Sequence, residues 1–373
     1  MRIGFDAKRA FFNNTGLGNY SRNTLRQLFM YYPNHQYLLY TPSKQRKIKF
    51  SIPKDVIIRS PENIVGKLFK SYWRSVLLTN QLMHDKLTLY HGLSNELPFG
   101  ITETKIKSVV TIHDLIFKRF PQWYNPIDVK IYDRKFNYAA LYSDIVIAVS
   151  KQTAADLIEF YGINENKIRV IYQNCNPLFY DLLSKEQILN ALSKYGLPSE
   201  YILYVGTIEE RKNLHRLIEA LYIAKLDFPL VAIGRKTKYF EQKVFSLVQK
   251  YQLESSVHFI ENIDNKELPA IYQAAKLFIY PSLYEGFGIP ILEAQASGVP
   301  VITSKGGCFS ESGGTHSWYV NPTDPEELAH SIITLLNNKE QRIEMIEKGR
   351  KFAKNFTGQQ SIQLLHKVYE ELA

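Results

Sequence analysis

Two glutamates, Glu285 and Glu293, are separated by seven residues on either side of a glycine-rich turn. They lie in LFIYPSLYEGFGIPILEAQASGVPVITS, residues 277–304. The spacing alone carries little, because Glu, any seven, Glu arises by chance in most chains of this size. The setting carries more. The apolar run 277–280, bounded by Pro281 and Ser282, reads as a buried strand of a parallel sheet. Residues 283–288 are a loop containing Gly286 and Gly288. Pro290 suits the first turn of a helix, where its missing N–H costs nothing. Ile291, Leu292 and Ala294 continue that helix, Gly298 closes it, and 299–303 are the next strand. Free N–H groups and the positive end of the helix dipole make the helix start an anion site. A carboxylate that accepts hydroxyls beside a terminus that accepts phosphate is the pair of functions a sugar nucleotide requires.

The string E-G-F-G-I-P-I-L-E, extended as P-S-L-Y-E-G-F-G-I-P-I-L-E-A, resembles the signature of glycosyltransferase family 4, retaining enzymes of the GT-B fold. The resemblance implies that Glu285 binds hydroxyls of the transferred sugar, assisted by backbone N–H groups of Phe287 and Gly288. It implies that Glu293 accepts the ribose hydroxyls, and that Gly286 and Ile289 belong to the same donor-binding turn. GTIEERKN, residues 206–213, resembles the family's G-x-x-x-x-R-K-N loop. There Gly206 opens the loop, and Arg211 and Lys212 would stabilise the diphosphate more in the transition state than in the ground state. TGLGNY, residues 15–20, resembles G-x-G-x-Y, with Gly16 and Gly18 letting backbone approach donor phosphate or acceptor. It is poor as a dinucleotide fingerprint, because Ser21 stands where a third glycine or alanine belongs. In TIHD, residues 111–114, the resemblance brings His113 near the reacting sugar and acceptor. Asp114 either orients that ring or caps the next turn. Glu311 is a weaker candidate, since Phe309-Ser310 departs from the family's apolar-Pro-Glu run.

Each string also has a plain reading when taken alone: an exposed Arg-Lys ahead of a helix, a histidine satisfied at a strand end, a helix-start turn, a solvated helix glutamate. A glycosidase acid/base pair needs one carboxylate on each side of the scissile bond, which one strand–loop–helix does not supply. No Asp-x-Asp follows a strand and no His/Cys grouping has metal-ligand spacing. The expectation is therefore no cofactor and no metal, with cationic side chains in place of Mg²⁺.

The elements that must position these residues alternate along the whole chain. At 373 residues and 45% hydrophobic, the sequence suits two domains with large cores. Strands are expected at 2–7, 37–40, 56–59, 87–91, 108–112, 145–149 and 168–172, with helices at 17–31, 72–83, 129–142 and 153–161. Residues 174–197, with Asn174, Asn176, Pro177, Gly196 and Pro198, read as a linker and the start of a second domain. There strands at 201–205, 230–233, 257–260, 277–280 and 299–303 alternate with helices at 214–224, 240–251, 266–275, 290–296 and 325–336, followed by helices at 341–356 and 361–372. The fold class is α/β: two Rossmann-like, doubly wound parallel-sheet domains, 1–175 and 176–357, which the GT-B resemblance assigns to the acceptor and the donor. The resemblance has 358–373 packing back on the first. Ligands of such sheets bind beyond the carboxyl ends of the strands, and closure of the two domains would exclude water.

The function expected is transfer of a hexose from a nucleotide diphosphate sugar to a hydroxyl of a glycan or lipid-linked glycan. TGLGNY, TIHDLIF and FPQWYNP are most like strings of bacterial mannosyltransferases that build surface polysaccharides such as lipopolysaccharide. GDP-mannose is thus the preferred donor, with UDP-glucose and UDP-N-acetylglucosamine open. The acceptor falls to loops at 15–20, 63–70 and 119–126. Alternatives are another GT-B enzyme, such as a nucleotide-sugar epimerase or a phosphorylase, or a non-enzymatic basic binder exploiting the net charge of +10. No basic run interleaved with aromatics supports a nucleic-acid partner. No apolar run is long enough to span a bilayer, 2–7 enters a strand at once without a signal peptide, and two cysteines, Cys175 and Cys308, suit a reducing cytoplasm. Lysines at 44–49 and 67–70 face either solvent or the anionic inner membrane surface.

Overall fold

The protein, seen in a computed structural model that describes residues 1–43 and 50–373, divides into two units. Unit 1 comprises Met1–Asn174 and Gly358–Ala373, and unit 2 is Cys175–Thr357. The lysines at 44–49, expected to face either solvent or a leaflet, lie outside the described residues. Among the described residues no helix is long and apolar enough to cross a membrane.

Unit 1 is built on seven parallel strands: β1 (Arg2–Asp6), β2 (Gln36–Tyr40), β3 (Ile57–Arg59), β4 (Leu89–Gly92), β5 (Lys107–Ile112), β6 (Ile145–Ala148) and β7 (Ile168–Val170), in the order β3-β2-β1-β4-β5-β6-β7. Consecutive residues of a strand point to opposite faces. Leu39, Val109 and Ile147 therefore feed one buried cluster, and Leu38, Val110 and Val146 feed another on the far side. Both faces are covered, which is why these strands read as unbroken apolar runs. The strand order reverses between β1 and β4, the place where such sheets open a crevice.

Helix Gly16–Tyr31 buries Leu25, Leu28 and Phe29 as their spacing predicts. Helix Gly358–Leu372 adds Ile362, Leu365, Val368 and Tyr369 to the same cluster. The stretch between Ala7 and Thr15, read from sequence as a long loop, contains a helix, Lys8–Phe12, whose Ala10 and Phe11 are buried. Five residues are too few to display a helical period. The helix expected at 72–83 is likewise more broken: Ile64–Leu68 and Lys70–Tyr72 precede a wide π turn, Trp73–Leu77, and then Leu78–His84. The π turn carries two consecutive buried residues, Trp73 and Arg74. Arg74 bonds Asp6 at the end of β1 (2.5 Å) and Glu96 (2.8 Å).

Unit 2 has six parallel strands: β8 (Tyr201–Val205), β9 (Leu230–Ile233), β10 (Val257–Ile260), β11 (Ala275–Tyr280), β12 (Val301–Ser304) and β13 (Trp318–Val320), ordered β10-β9-β8-β11-β12-β13. Helices Leu214–Ala224 and Pro325–Asn337 cover a core that includes Ile202, Leu230, Leu277 and Ile302. The start of the unit is punctuated as its composition suggests. Asn176 caps a short turn, Pro177–Phe179. Ser184 and Gln187 form a reciprocal capping box for helix Lys185–Tyr195, which ends at Gly196 in the left-handed region. Cys175 groups with this unit, its N–H bonding the Phe356 carbonyl at 3.1 Å. Strand β13 and a short helix, Phe309–Gly313, go beyond the sequence reading.

The turn before helix Gly16–Tyr31 is tightly set. A Cβ on Gly18 would stand 1.8 Å from the Asn13 carbonyl oxygen, whereas one on Gly16 would meet nothing within 4 Å. Gly18→Ala is expected to destabilise unit 1 by about 2 kcal/mol. Gly16→Ala should change its stability by less than about 0.5 kcal/mol. Native-state hydrogen exchange of the β1 and β4 amides measures both.

Candidate functional site

In unit 2 the site is assembled where β8 and β11 end side by side. Past β8 the chain turns through Glu210–Lys212 into Asn213, which holds a left-handed conformation (φ 62°) that asparagine tolerates. Asn213 is buried, and its Nδ2 donates to the carbonyls of Pro281 (2.9 Å) and Pro322 (2.7 Å). The Leu283 N–H donates to the Arg211 carbonyl at 2.9 Å. These bonds lock the 206–213 loop onto the loop after β11. Sequence reading gave Asn213 no role; it is the clamp that fixes Arg211 and Lys212.

Both cations converge on Glu285, which is 8% exposed. Arg211 Nη1 lies 2.7 Å from its Oε2, and Lys212 Nζ 2.6 Å from its Oε1. The Tyr280 hydroxyl donates to Oε1 at 3.0 Å and accepts from Lys212 at 2.5 Å. Arg211 also donates to the Tyr284 carbonyl and pairs with Glu209, each at 2.7 Å. The expected phosphate-facing cations and the expected sugar-facing carboxylate therefore form one cluster, not two facing groups. Burial pushes the Glu285 carboxyl up, but Arg211 and then Lys212 outweigh it and hold it at about 2. Burial pulls the Lys212 ammonium down; Glu285 opposes that shift and Arg211 reinforces it, leaving it below the usual lysine range.

Around this cluster, Gly206 follows β8 and is half-buried, its N–H on the Ile233 carbonyl. Gly286 is half-buried, and Phe287 is buried with its ring 5.8 Å from that of Phe356. Gly288 takes φ 103°, and a Cβ there would stand 2.9 Å from Ser312 Oγ, so this turn accepts only glycine. Ile289 opens helix Ile289–Ala296. The segment around Glu311 is helical: Cys308 Sγ contacts the Glu285 carbonyl at 3.2 Å, and Ser312 abuts Gly288. Neither residue was legible in advance, since each acts only by folding back onto the turn.

Glu293, on the helix, is set apart electrostatically. Its Oε2 accepts from the Tyr272 hydroxyl at 3.1 Å. Burial raises its pKa to about 7, against the lowering effect of that bond.

In unit 1, His113 follows β5 and is buried. Its Nε2 lies 2.9 Å from the Leu93 carbonyl and its Nδ1 2.9 Å from the Gln173 amide. Those partners set a neutral ring protonated at Nε2, and burial lowers its pKa to about 4. Asp114 Oδ1 accepts from the Ile116 N–H at 3.2 Å, a local turn bond, while Leu115 holds the N-cap position of helix Ile116–Arg119. Tyr20 meets the His113 ring edge-on at 4.7 Å. Its hydroxyl is 3.2 Å from Thr111, which is 2.8 Å from His91, itself 2.6 Å from Tyr369 on the last helix. Gly16 is exposed at the helix start. Among the described residues no three His, Cys, Asp or Glu side chains are grouped to hold a metal ion.

Residues 15–174 match the family model "Glycosyltransferase Family 4" and residues 190–352 match "Glycosyl transferases group 1". O-antigen chain mannosyltransferase B of Escherichia coli is 27% identical over 274 residues, 72% of this chain and 70% of that protein. Serotype-specific mannosyltransferase WbdA of Escherichia coli is 32% identical over 192 residues, 50% of this chain but only 24% of that longer protein. Sucrose-phosphate synthase from Thermosynechococcus elongatus shares the GT-B fold, at 20% identity and a TM-score of 0.80 over 100% of this chain and 99% of that one.

The raised Glu293 carboxyl has a measurable consequence. Its folded pKa lies above its unfolded one, so its contribution to stability is complete below about pH 4 and is lost as pH climbs through about 7. Glu293→Gln should therefore melt at a higher temperature than the parent at about pH 8 and close to it at about pH 5.

Proposed function

This chain belongs to the glycosyltransferases of GT-B type, a family 4 domain followed by a group 1 domain, and we propose that it moves a hexose from a nucleotide diphosphate sugar to a hydroxyl of a growing surface glycan, with anomeric configuration retained. The observation that supports this most is the buried Glu285 carboxylate held by Arg211 and Lys212. One cluster combines an ionised acceptor for sugar hydroxyls with cationic donors for a diphosphate. Lys212 directs two of its three hydrogens to Tyr280 and Glu285, which leaves one for a phosphate oxygen. Because both cations are already fixed, little reorganisation accompanies the growth of negative charge on the leaving diphosphate. The two cations take the place of a divalent metal.

Glu293, on the helix that leaves the Gly286–Gly288 turn, is assigned to the ribose hydroxyls. Gly206, Phe287 and Ile289 shape the donor turn, and Gly16 offers backbone to a phosphate or the acceptor. His113 is assigned to the reacting sugar and acceptor, a ligand hydroxyl replacing Gln173 at Nδ1. Retention rests on the resemblance of the 285–293 string to retaining enzymes. The O-antigen mannosyltransferase relative supports mannose, hence GDP-mannose, with a glycan or lipid-linked glycan as acceptor. The buried free cysteines suit a cytoplasmic site of action.

Calorimetry with GDP-mannose, UDP-glucose and UDP-N-acetylglucosamine tests the reading. GDP-mannose should bind, and Lys212→Ala and Glu293→Ala should each weaken it at least about tenfold. Donor affinity should rise from about pH 6 to about pH 8 as Glu293 ionises, and stay flat in Glu293→Gln. Binding indifferent to both alanine changes overturns the site. Transfer should proceed at an unchanged rate in EDTA, and loss of activity there would overturn the metal-free assignment.

A further inference from the structure

Unit 1 carries a helical segment with almost nothing to pack against. Helix Ile64–Leu68 is a formed turn, capped by Asn63, whose Oδ1 accepts the Gly66 N–H at 2.7 Å. It rests on the rest of the unit through Gly66, where a Cβ would come within 3.0 Å of Trp73 and Pro61. Its apolar residues point away from that seat. Ile64 is 75% exposed, Val65 50%, Leu68 71% and Phe69 63%, and Tyr72 and Val76 follow at 49% and 38%. Single exposed apolar residues are ordinary on a protein surface, but six within the thirteen positions 64–76 form a patch.

The charges in the patch select what covers it. Lys67 and Lys70 are exposed among these side chains, and neither has an ion-pair partner among the described residues. Glu62 is the only acidic residue from 60 to 84. A two-fold contact with a second copy would bring like charges of both chains together as it buried the apolar residues. An anionic bilayer satisfies both features: apolar side chains enter the acyl boundary while lysines meet the headgroups. We propose that segment 64–76 docks unit 1 onto an anionic membrane surface.

The place of the segment in the fold adds to its meaning. It leaves β3 at the carboxyl edge of the sheet, the edge where β1 ends at Asp6 and β5 leads into His113. A bilayer against the segment lies along that edge, so an acceptor carried on a lipid is delivered there from the membrane. Docking stands without the transferase reading, whereas the lipid-borne acceptor rests on it.

Flotation with vesicles of phosphatidylcholine alone, or with about 30% phosphatidylglycerol, at about 0.1 M salt tests the proposal. The chain should float with the anionic vesicles and at least about tenfold less with neutral ones. Leu68→Glu/Phe69→Glu should reduce anionic binding at least about tenfold. Lys67→Gln/Lys70→Gln should reduce it about fivefold per lysine, on anionic vesicles only. Phe69→Trp should show emission quenched by brominated lipid. Unchanged hydrogen exchange of the β1 and β4 amides in the variants shows that unit 1 is folded, and unchanged nucleotide affinity separates this test from that of the donor site. Absence of flotation, or equal flotation of parent and Leu68→Glu/Phe69→Glu, overturns the proposal. So does a dimer that this variant dissociates while vesicle binding persists, which assigns the patch to a second copy.

Discussion

A carboxylate buried between two cations is the constraint on which unit 2 turns. Removing charge from water is costly unless it is paired at close range, and breaking such a pair leaves an uncompensated charge inside. Glu285, Arg211 and Lys212 therefore fix one another, and with them the loops that follow β8 and β11. The main-chain bond from Leu283 to Arg211 and the side chain of Asn213 bind the same two loops. Geometry that in another setting would await a ligand is here held by the protein.

The two glutamates show how environment divides one side-chain type into two functions. Glu285 is surrounded by positive charge and stays ionised across the whole physiological range. Glu293, eight positions on, has a tyrosine hydroxyl and little else to offset its burial, and it titrates near neutrality. Unit 1 uses a different device: His113 is neutral and bonded at both nitrogens, beside a chain of hydrogen bonds through Tyr20, Thr111, His91 and Tyr369. Its orientation thus depends on the Leu93 carbonyl just past β4 and on Gln173 just past β7, with Tyr20 of helix Gly16–Tyr31 against the ring.

Much of the architecture was legible because parallel strands covered on both faces are unbroken apolar runs, and thirteen such strands account for both sheets. Twelve were foreseen. Trp318–Val320 was not, since three residues carry no period, and helices Lys8–Phe12 and Phe309–Gly313 failed for the same reason. The π turn at Trp73–Leu77 was hidden because its pattern differs from an α-helix only in which neighbours reach the core. Within the site, Glu285, Arg211 and Lys212 could be named from their motifs, but not that they would touch. That contact joins positions more than seventy residues apart, and its partners Tyr280, Cys308 and Asn213 are ordinary residues until the chain is folded.

The helix Gly358–Leu372 belongs to the core of unit 1, yet it follows the entire second unit in the chain. On the ribosome, the first sheet emerges with the groove for Ile362, Leu365, Val368 and Tyr369 still open, and a contiguous Cys175–Thr357 can close its own core meanwhile. Biogenesis is therefore asymmetric: the half made first is finished last, and until then it presents uncovered apolar surface to any chaperone within reach.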